Sequence, residues 1–137
     1  MASPIRSMLV VRYYRDGRHW DTERIDSPQW PQVEAAIRRM DDYCFPIVHL
    51  NTTDTDWGDE VFNVIGGAGR WALLHMMGKW QYTDRDYQGE IDEEWLWKSD
   101  QGYCCETNNI LIDVEKVLRI VRKYYDTGSY AELDSVK

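Results

Sequence analysis

The chain opens with apolar and aromatic positions that are typical of β-strands. Residues 8–15, MLVVRYYR, are rich in β-branched and aromatic side chains, and Asp16-Gly17 follows them as a turn before RHWDTERI. This pattern predicts a β-hairpin at the start of the chain. Another strand is predicted in FPIVHLNTT, at residues 45–53.

Four further short strands are predicted in the segments VFNVI, RWALLHMM, KWQYTD and EWLWKS. Turns that carry Gly or Asp separate these segments, which is the spacing of an antiparallel meander. We therefore expect strand pairing to be mostly local.

Two segments repeat apolar residues at helical spacing. In SPQWPQVEAAIRRMDD, Ser27 is a candidate N-cap and a proline falls in the first turn. In ILIDVEKVLRIVRKYYDTGSY, Asp113 is a candidate N-cap and Gly128 stands where a helix-ending residue is needed. The order of elements predicts an α+β fold, an antiparallel β-sheet meander with two main helices packed on one face.

Length and composition fit one domain over residues 1–137. A chain of this size with 43% hydrophobic residues can bury a single core. Seven Trp and nine Tyr, against two Phe, give most of the aromatic residues a polar group, which suits half-exposed positions and interfaces.

The chain is acidic, with 24 Asp and Glu against 16 Lys and Arg and a formal net charge of -8. Such a surface repels nucleic acid and anionic membranes, so its natural complement is a basic protein. Solubility alone explains the same charge equally well. The three Cys show no CxxC spacing, and no apolar run approaches the roughly 20 residues that span a bilayer. We therefore expect a cytoplasmic protein with no membrane partner.

The cluster Gly66-Gly67-Ala68-Gly69 presents two alternatives. A phosphate-binding loop needs backbone N–H groups that converge at a helix N-terminus, whereas RWALLHMM has the composition of a strand. We expect Gly66, Gly67 and Gly69 to form a hairpin bend. A small-molecule or enzymatic pocket beside Gly67 and Arg70 stays open as the alternative.

Candidate catalytic and metal-binding groups are sparse. His19, His49 and His75 fall on three different predicted strands, without HxH or HxxxH spacing, and no Cys neighbours a His. His49 alternates with apolar residues and is expected to be a sheet residue with satisfied hydrogen bonds. We expect no catalytic residue, no metal and no cofactor, and therefore a protein that is not an enzyme.

Acidic residues cluster with tryptophan in two predicted loops. Three interpretations stay open: solvated loops, a glycosidase-like carboxylate pair, and a surface whose charge steers a basic partner and whose aromatic residues anchor it. The candidate partner-binding residues are Asp54, Asp56, Trp57, Asp59, Asp92, Glu93, Glu94 and Trp95.

The segments VFNVIGGAGRWALLHMMGKWQYTDRDYQGE, EWLWKSDQGY and NNILIDVEKVLRIVRKYYDTGSY resemble the first family of immunity proteins from bacterial polymorphic toxin systems. VRYYRDG and SPQWPQVEAAIRRMDD resemble the start of that family more loosely. The resemblance implies an α+β protein that binds and neutralises a cognate toxin, often a deaminase, encoded beside it. The implied mechanism is occlusion of the toxin's active site. It implies a toxin protein as partner, with no direct nucleic-acid binding, and leaves a homodimer through an exposed sheet edge open.

Overall fold

The computed structural model describes residues 3–14, 19–53, 61–76, 78–97 and 102–137. The strands in these ranges are β1 (Ser7–Tyr13), β2 (Trp20–Asp26), β3 (Ile47–Asn51), β4 (Val61–Gly67), β5 (Arg70–His75), β6 (Glu93–Leu96) and β7 (Tyr103–Glu106). The α-helices are α1 (Trp30–Arg39), between β2 and β3, and α2 (Val114–Thr127), after β7.

Five strands form an antiparallel sheet in the order β2-β1-β3-β4-β5, and β6 pairs with β7 in a separate two-stranded sheet. The predicted α+β class is therefore confirmed. The pairing of β1 with β3 is less local than expected, because it passes over β2 and leaves β2 at the edge of the sheet.

The strand predicted in KWQYTD does not form. This segment instead runs along the outer edge of β5, where Gln81 makes a single bridge with Leu74 and the Tyr82 N–H donates to the Leu73 carbonyl at 2.9 Å. Its apolar pattern has another cause, because Tyr82 is buried and Trp80 packs against the main core. The segment EWLWKS contributes β6, whose partner β7 the sequence pattern did not predict.

The five-stranded sheet is the middle layer of the molecule. Its helix-facing side packs against α1 and α2 through Met8, Val10, Val48, Leu50, Phe62, Val64, Trp71 and Leu73. Its opposite side packs against Leu96 and Cys105 of the β6–β7 hairpin through Val11, Ile47, Ile65 and Ala72. Because both sides are covered, every residue of β3 and β4 is buried.

The helix caps follow the sequence closely at α2 and less closely at α1. The Asp113 carboxylate accepts the Glu115 N–H at 2.9 Å, and Gly128 ends α2 in the left-handed conformation. At α1 the N-cap is Gln29 and not Ser27. The Ser27 N–H still donates to the Arg6 carbonyl at 2.9 Å, so the β1–β2 pairing continues through the residue that was predicted to cap the helix.

Within the described ranges, no helix combines the length and the apolar character needed to cross a membrane.

Candidate partner-binding surface

Four of the eight predicted partner-binding residues, Asp54, Asp56, Trp57 and Asp59, lie outside the described residues. The other four lie at the start of β6 or within it. The Asp92 carbonyl accepts the Thr107 N–H at 2.9 Å, which continues the β6–β7 pairing by one residue.

The two sides of the β6–β7 hairpin carry different residues. Leu96 and Cys105 are buried against the main sheet. Because side chains alternate along a strand, the opposite side carries Glu93 and Trp95 from β6, and Cys104 and Glu106 from β7. We call these four residues the hairpin surface. All four are exposed, and Trp95 retains 63% of its accessible area.

The hairpin surface places two carboxylates opposite each other. Glu93 pairs with Glu106, and Trp95 pairs with Cys104 in the next outward row. Like charges directly opposite one another destabilise an antiparallel pair, and no described cation forms a salt bridge with either carboxylate. A large exposed indole beside them adds apolar area in contact with water. The Glu106 carboxylate also accepts the Asn109 N–H at the short 3-10 helix that follows β7. The pairing of the two carboxylates and the exposure of Trp95 do not themselves stabilise the hairpin, and both suit contact with a basic partner.

Glu94 is separated from the other predicted residues. Its carboxylate forms an ion pair with Arg70, with Nη2 and Oε2 3.0 Å apart. The same nitrogen donates a hydrogen bond to the Trp95 carbonyl at 3.2 Å. Arg70 therefore ties the hairpin to β5. Glu94 is positioned to hold this connection, while Glu93 and Trp95 face solvent.

Two exposed residues, one on the hairpin surface and one on a neighbouring segment, were not among the predicted partner-binding residues. Glu106 lies on β7, which was not predicted. Leu111 exchanges two backbone hydrogen bonds of 2.8 Å with Trp71, so Ile112 falls opposite Arg70 in the same antiparallel pairing. Ile112 is 77% exposed. An apolar residue just before a helix gives a weak signal, because its exposure depends on this distant pairing.

Asp42 is a second connection between the hairpin and the main sheet. Its carboxylate accepts the backbone N–H of Trp97, and its own N–H donates to the Gly66 carbonyl at 3.0 Å. The neighbouring Asp41 carboxylate accepts three successive backbone N–H groups, from Tyr43 to Phe45, at 2.8–3.0 Å. These contacts fix the loop that carries Asp42.

The glycine cluster spans the end of β4 and the turn of the β4–β5 hairpin. Gly66 and Gly67 are the last residues of the strand, and Ala68 and Gly69 form the turn. Ala68 and Gly69 have φ values of 54° and 94°, which is the pattern of a two-residue turn with both φ positive. A Cβ on Gly67 would lie 2.5 Å from the Met40 carbonyl carbon, so the chain itself fills the space beside this residue. Arg70 is held by its ion pair with Glu94. A small-molecule or enzymatic pocket beside Gly67 and Arg70 stays an alternative prediction.

The side of the sheet opposite the helices contains a buried polar group. Ser7, His49, Asn51 and Asn63 are all buried, and Asn51 Nδ2 donates to Ser7 Oγ at 3.1 Å. Burial lowers the pKa of His49 to about 4, and its hydrogen bond with Asn63 offsets part of this shift. His49 is therefore neutral at pH 7 and is a residue of the sheet, as predicted. Its hydrogen bonds are not all satisfied, because the buried Nδ1 atom has no hydrogen-bond partner among the described residues.

No cluster of three or more His, Cys, Asp or Glu within the described ranges has the geometry of a metal site. His75 lies apart from the buried polar group, with its ring edge against Tyr130 at a centroid distance of 5.3 Å.

A groove of about 730 Å³ lies between the start of α1 and the end of α2. The Arg122 guanidinium sits 5.1 Å from the Trp30 ring centroid and pairs with Asp126 at 3.1 Å, and the Tyr125 hydroxyl donates to the Pro28 carbonyl at 2.8 Å. These polar groups satisfy one another. The groove lies on the helix side of the sheet, away from the hairpin surface.

Comparison with known proteins finds no matching family model, curated protein or solved structure.

Proposed function

We propose that this protein is an immunity protein that binds a cognate bacterial toxin and neutralises it by occluding the toxin's active site. The class of partner that fits is a deaminase or another toxin that attacks nucleic acid. The observation that carries the proposal is the hairpin surface, on which the Glu93–Glu106 pair lies beside the exposed Trp95.

The chemistry of such a partner explains both features. A cleft that binds nucleic acid is lined with cations that contact phosphates. Two adjacent carboxylates can take the place of phosphate groups in such a cleft. The net charge of -8 attracts a basic protein over longer distances and so speeds association. Trp95 supplies an apolar anchor of the kind that dominates interface energies. An immunity protein with this role would act in the cytoplasm of the cell that makes the toxin.

The test is binding and inhibition of the toxin domain encoded beside this gene. We expect a stable complex at equal stoichiometry in size-exclusion chromatography and loss of toxin activity in it. Trp95→Ala removes the proposed anchor and should weaken binding about 30-fold, mainly through faster dissociation. Because Trp95 is exposed, the same substitution should leave the thermal midpoint of the free protein nearly unchanged.

Glu93→Lys is expected to change binding and stability in opposite directions. It places a cation opposite Glu106, which should stabilise the hairpin by about 0.2–1 kcal/mol while slowing association with the toxin about threefold or more. Glu132→Lys is the matched control for association, because it changes the net charge equally at a side chain that is 81% exposed and lies beyond α2. It also loses the 3.8 Å ion pair of Glu132 with Lys123, so its thermal midpoint is measured separately. Absence of a complex, or equal slowing by both charge reversals, would contradict the proposal.

A further inference from the structure

An apolar row beside β5 is covered by the β6–β7 hairpin at one end only. Ile110 and Ile112 flank Leu111, whose side chain belongs to the core on the helix side of the sheet, as does that of Trp71. Because side chains alternate along an extended segment, Ile110 and Ile112 lie on the opposite side, which faces the hairpin. Ile110 packs against the apolar cluster between the hairpin and the sheet, whereas Ile112 is 77% exposed. The hairpin therefore leaves the end of this row in contact with water.

Arg70 places the exposed Ile112 next to the hairpin surface. Ile112 falls opposite Arg70 in the antiparallel pairing of β5 with this row, so their side chains are neighbours on the hairpin side. The Arg70 guanidinium reaches the hairpin, where it pairs with Glu94 and donates to the Trp95 carbonyl. Among the described residues, Trp95 and Ile112 are the two most exposed large apolar side chains. Both lie beside the same arginine.

The carboxylates of the hairpin surface are available to the cations of a partner. Neither Glu93 nor Glu106 forms a salt bridge within the described ranges, and the charge of the neighbouring Arg70 is already paired with Glu94. A two-fold dimer through this surface would bring the carboxylates of both copies into one interface, and no unpaired cation of the surface as described would balance them. The surface therefore fits a different protein, one that carries cations around an apolar patch.

We infer that the toxin-binding surface extends from the hairpin across Arg70 to Ile112, so that one partner contacts both sheets. The inference rests on the proposed function, because it uses the same hairpin surface. It assigns to the toxin an apolar patch that covers Trp95 and Ile112, with Lys or Arg beside it to pair with Glu93 and Glu106. Such a partner completes the apolar row that the hairpin leaves open, and it holds the hairpin against the main sheet.

The test compares Ile112→Thr with Ile112→Val in binding to the toxin domain encoded beside this gene. The two replacements are both β-branched and nearly equal in size, and they differ by one hydroxyl. Ile112→Thr should weaken binding about tenfold, because the hydroxyl loses its contact with water in the interface, whereas Ile112→Val should stay within about threefold of the parent protein. Neither should move the thermal midpoint of the free protein appreciably, because Ile112 is exposed there.

Hydrogen–deuterium exchange locates the partner without reference to affinity. Toxin binding should slow exchange in β6 and in the segment 110–113 together. The inference is overturned, and the proposed function stands, if a complex forms but Ile112→Thr binds as tightly as the parent protein or only the hairpin is protected. Absence of any complex contradicts both. A dimer of the free protein that Ile112→Thr converts to a monomer would assign the surface to self-association and would also overturn the inference.

Discussion

At the scale of single residues, Gly67 at the end of β4 is closely approached by the backbone of Met40 and Asp41. Its φ is 121°, and an added Cβ would lie 2.5 Å from the Met40 carbonyl carbon and 2.6 Å from the Asp41 nitrogen. Gly67→Ala should therefore destabilise the protein by about 3 kcal/mol, because backbone strain adds to the steric clash. Urea denaturation measures this change directly.

Gly69→Ala is the matched comparison for Gly67→Ala. Gly69 also has a positive φ, of 94°, but no atom lies within 4 Å of its added Cβ. Its substitution should cost only about 1 kcal/mol, from backbone strain alone. Equal losses for the two variants would show that the approach of Met40 and Asp41 does not restrict position 67. The sequence predicts the turn from its glycines, but this approach depends on a contact between distant segments.

At the scale of elements, the attachment of the β6–β7 hairpin depends on Asp42. Asp42→Gly accepts the positive φ of 58° and removes the acceptor for the Trp97 N–H. We expect faster hydrogen–deuterium exchange of the β6 and β7 amides, with unchanged exchange in the main sheet. Asp42→Asn keeps an acceptor and tolerates the same φ, so it should exchange like the parent protein. Unchanged exchange of the β6 and β7 amides in Asp42→Gly would show that Asp42 does not hold the hairpin to the main sheet.

The outward side of the β6–β7 hairpin could not be predicted from the sequence. The acidic residues and Trp95 are visible as a cluster in the sequence, but the outward side they share with Glu106 is defined only by the register with β7. That strand has four residues, two of them cysteine, and lacks a strong local signal. The helices were more predictable, because capping and periodicity are local. Asp113 and Gly128 are the clearest cases.

At the scale of the whole molecule, stability should fall in mild acid because His49 is buried in its neutral form. Burial depresses the folded-state pKa from 6.5 to about 4, so the unfolded chain takes up a proton first as the pH falls. The stability associated with His49 is complete above pH 6.5 and is lost between there and about pH 4. Between pH 7 and pH 4.5 this loss should reach about 2–3 kcal/mol.

Urea denaturation of His49→Gln at the two pH values isolates this contribution. The variant keeps a polar side chain beside Asn63 and lacks the titrating imidazole, so its loss of stability at pH 4.5 should be smaller than that of the parent protein by the same amount. Identical losses would mean that other groups cause the acid sensitivity. The alternation in FPIVHLNTT predicts His49 as a sheet residue, whereas its burial follows from a three-layer arrangement that no local pattern encodes.

The neighbouring cysteines of β7 differ in chemical accessibility because they face opposite sides of the hairpin. Cys105 is buried and its thiol pKa is raised to about 11, mainly by burial, so very little of it is thiolate at neutral pH. Cys104 is exposed and directly opposite Trp95. A maleimide dye attached there would lie within quenching distance of the indole, and a bound partner would shield the thiol from the reagent. With the partly exposed Cys44 replaced by serine, Cys104 becomes a footprinting probe on the hairpin surface.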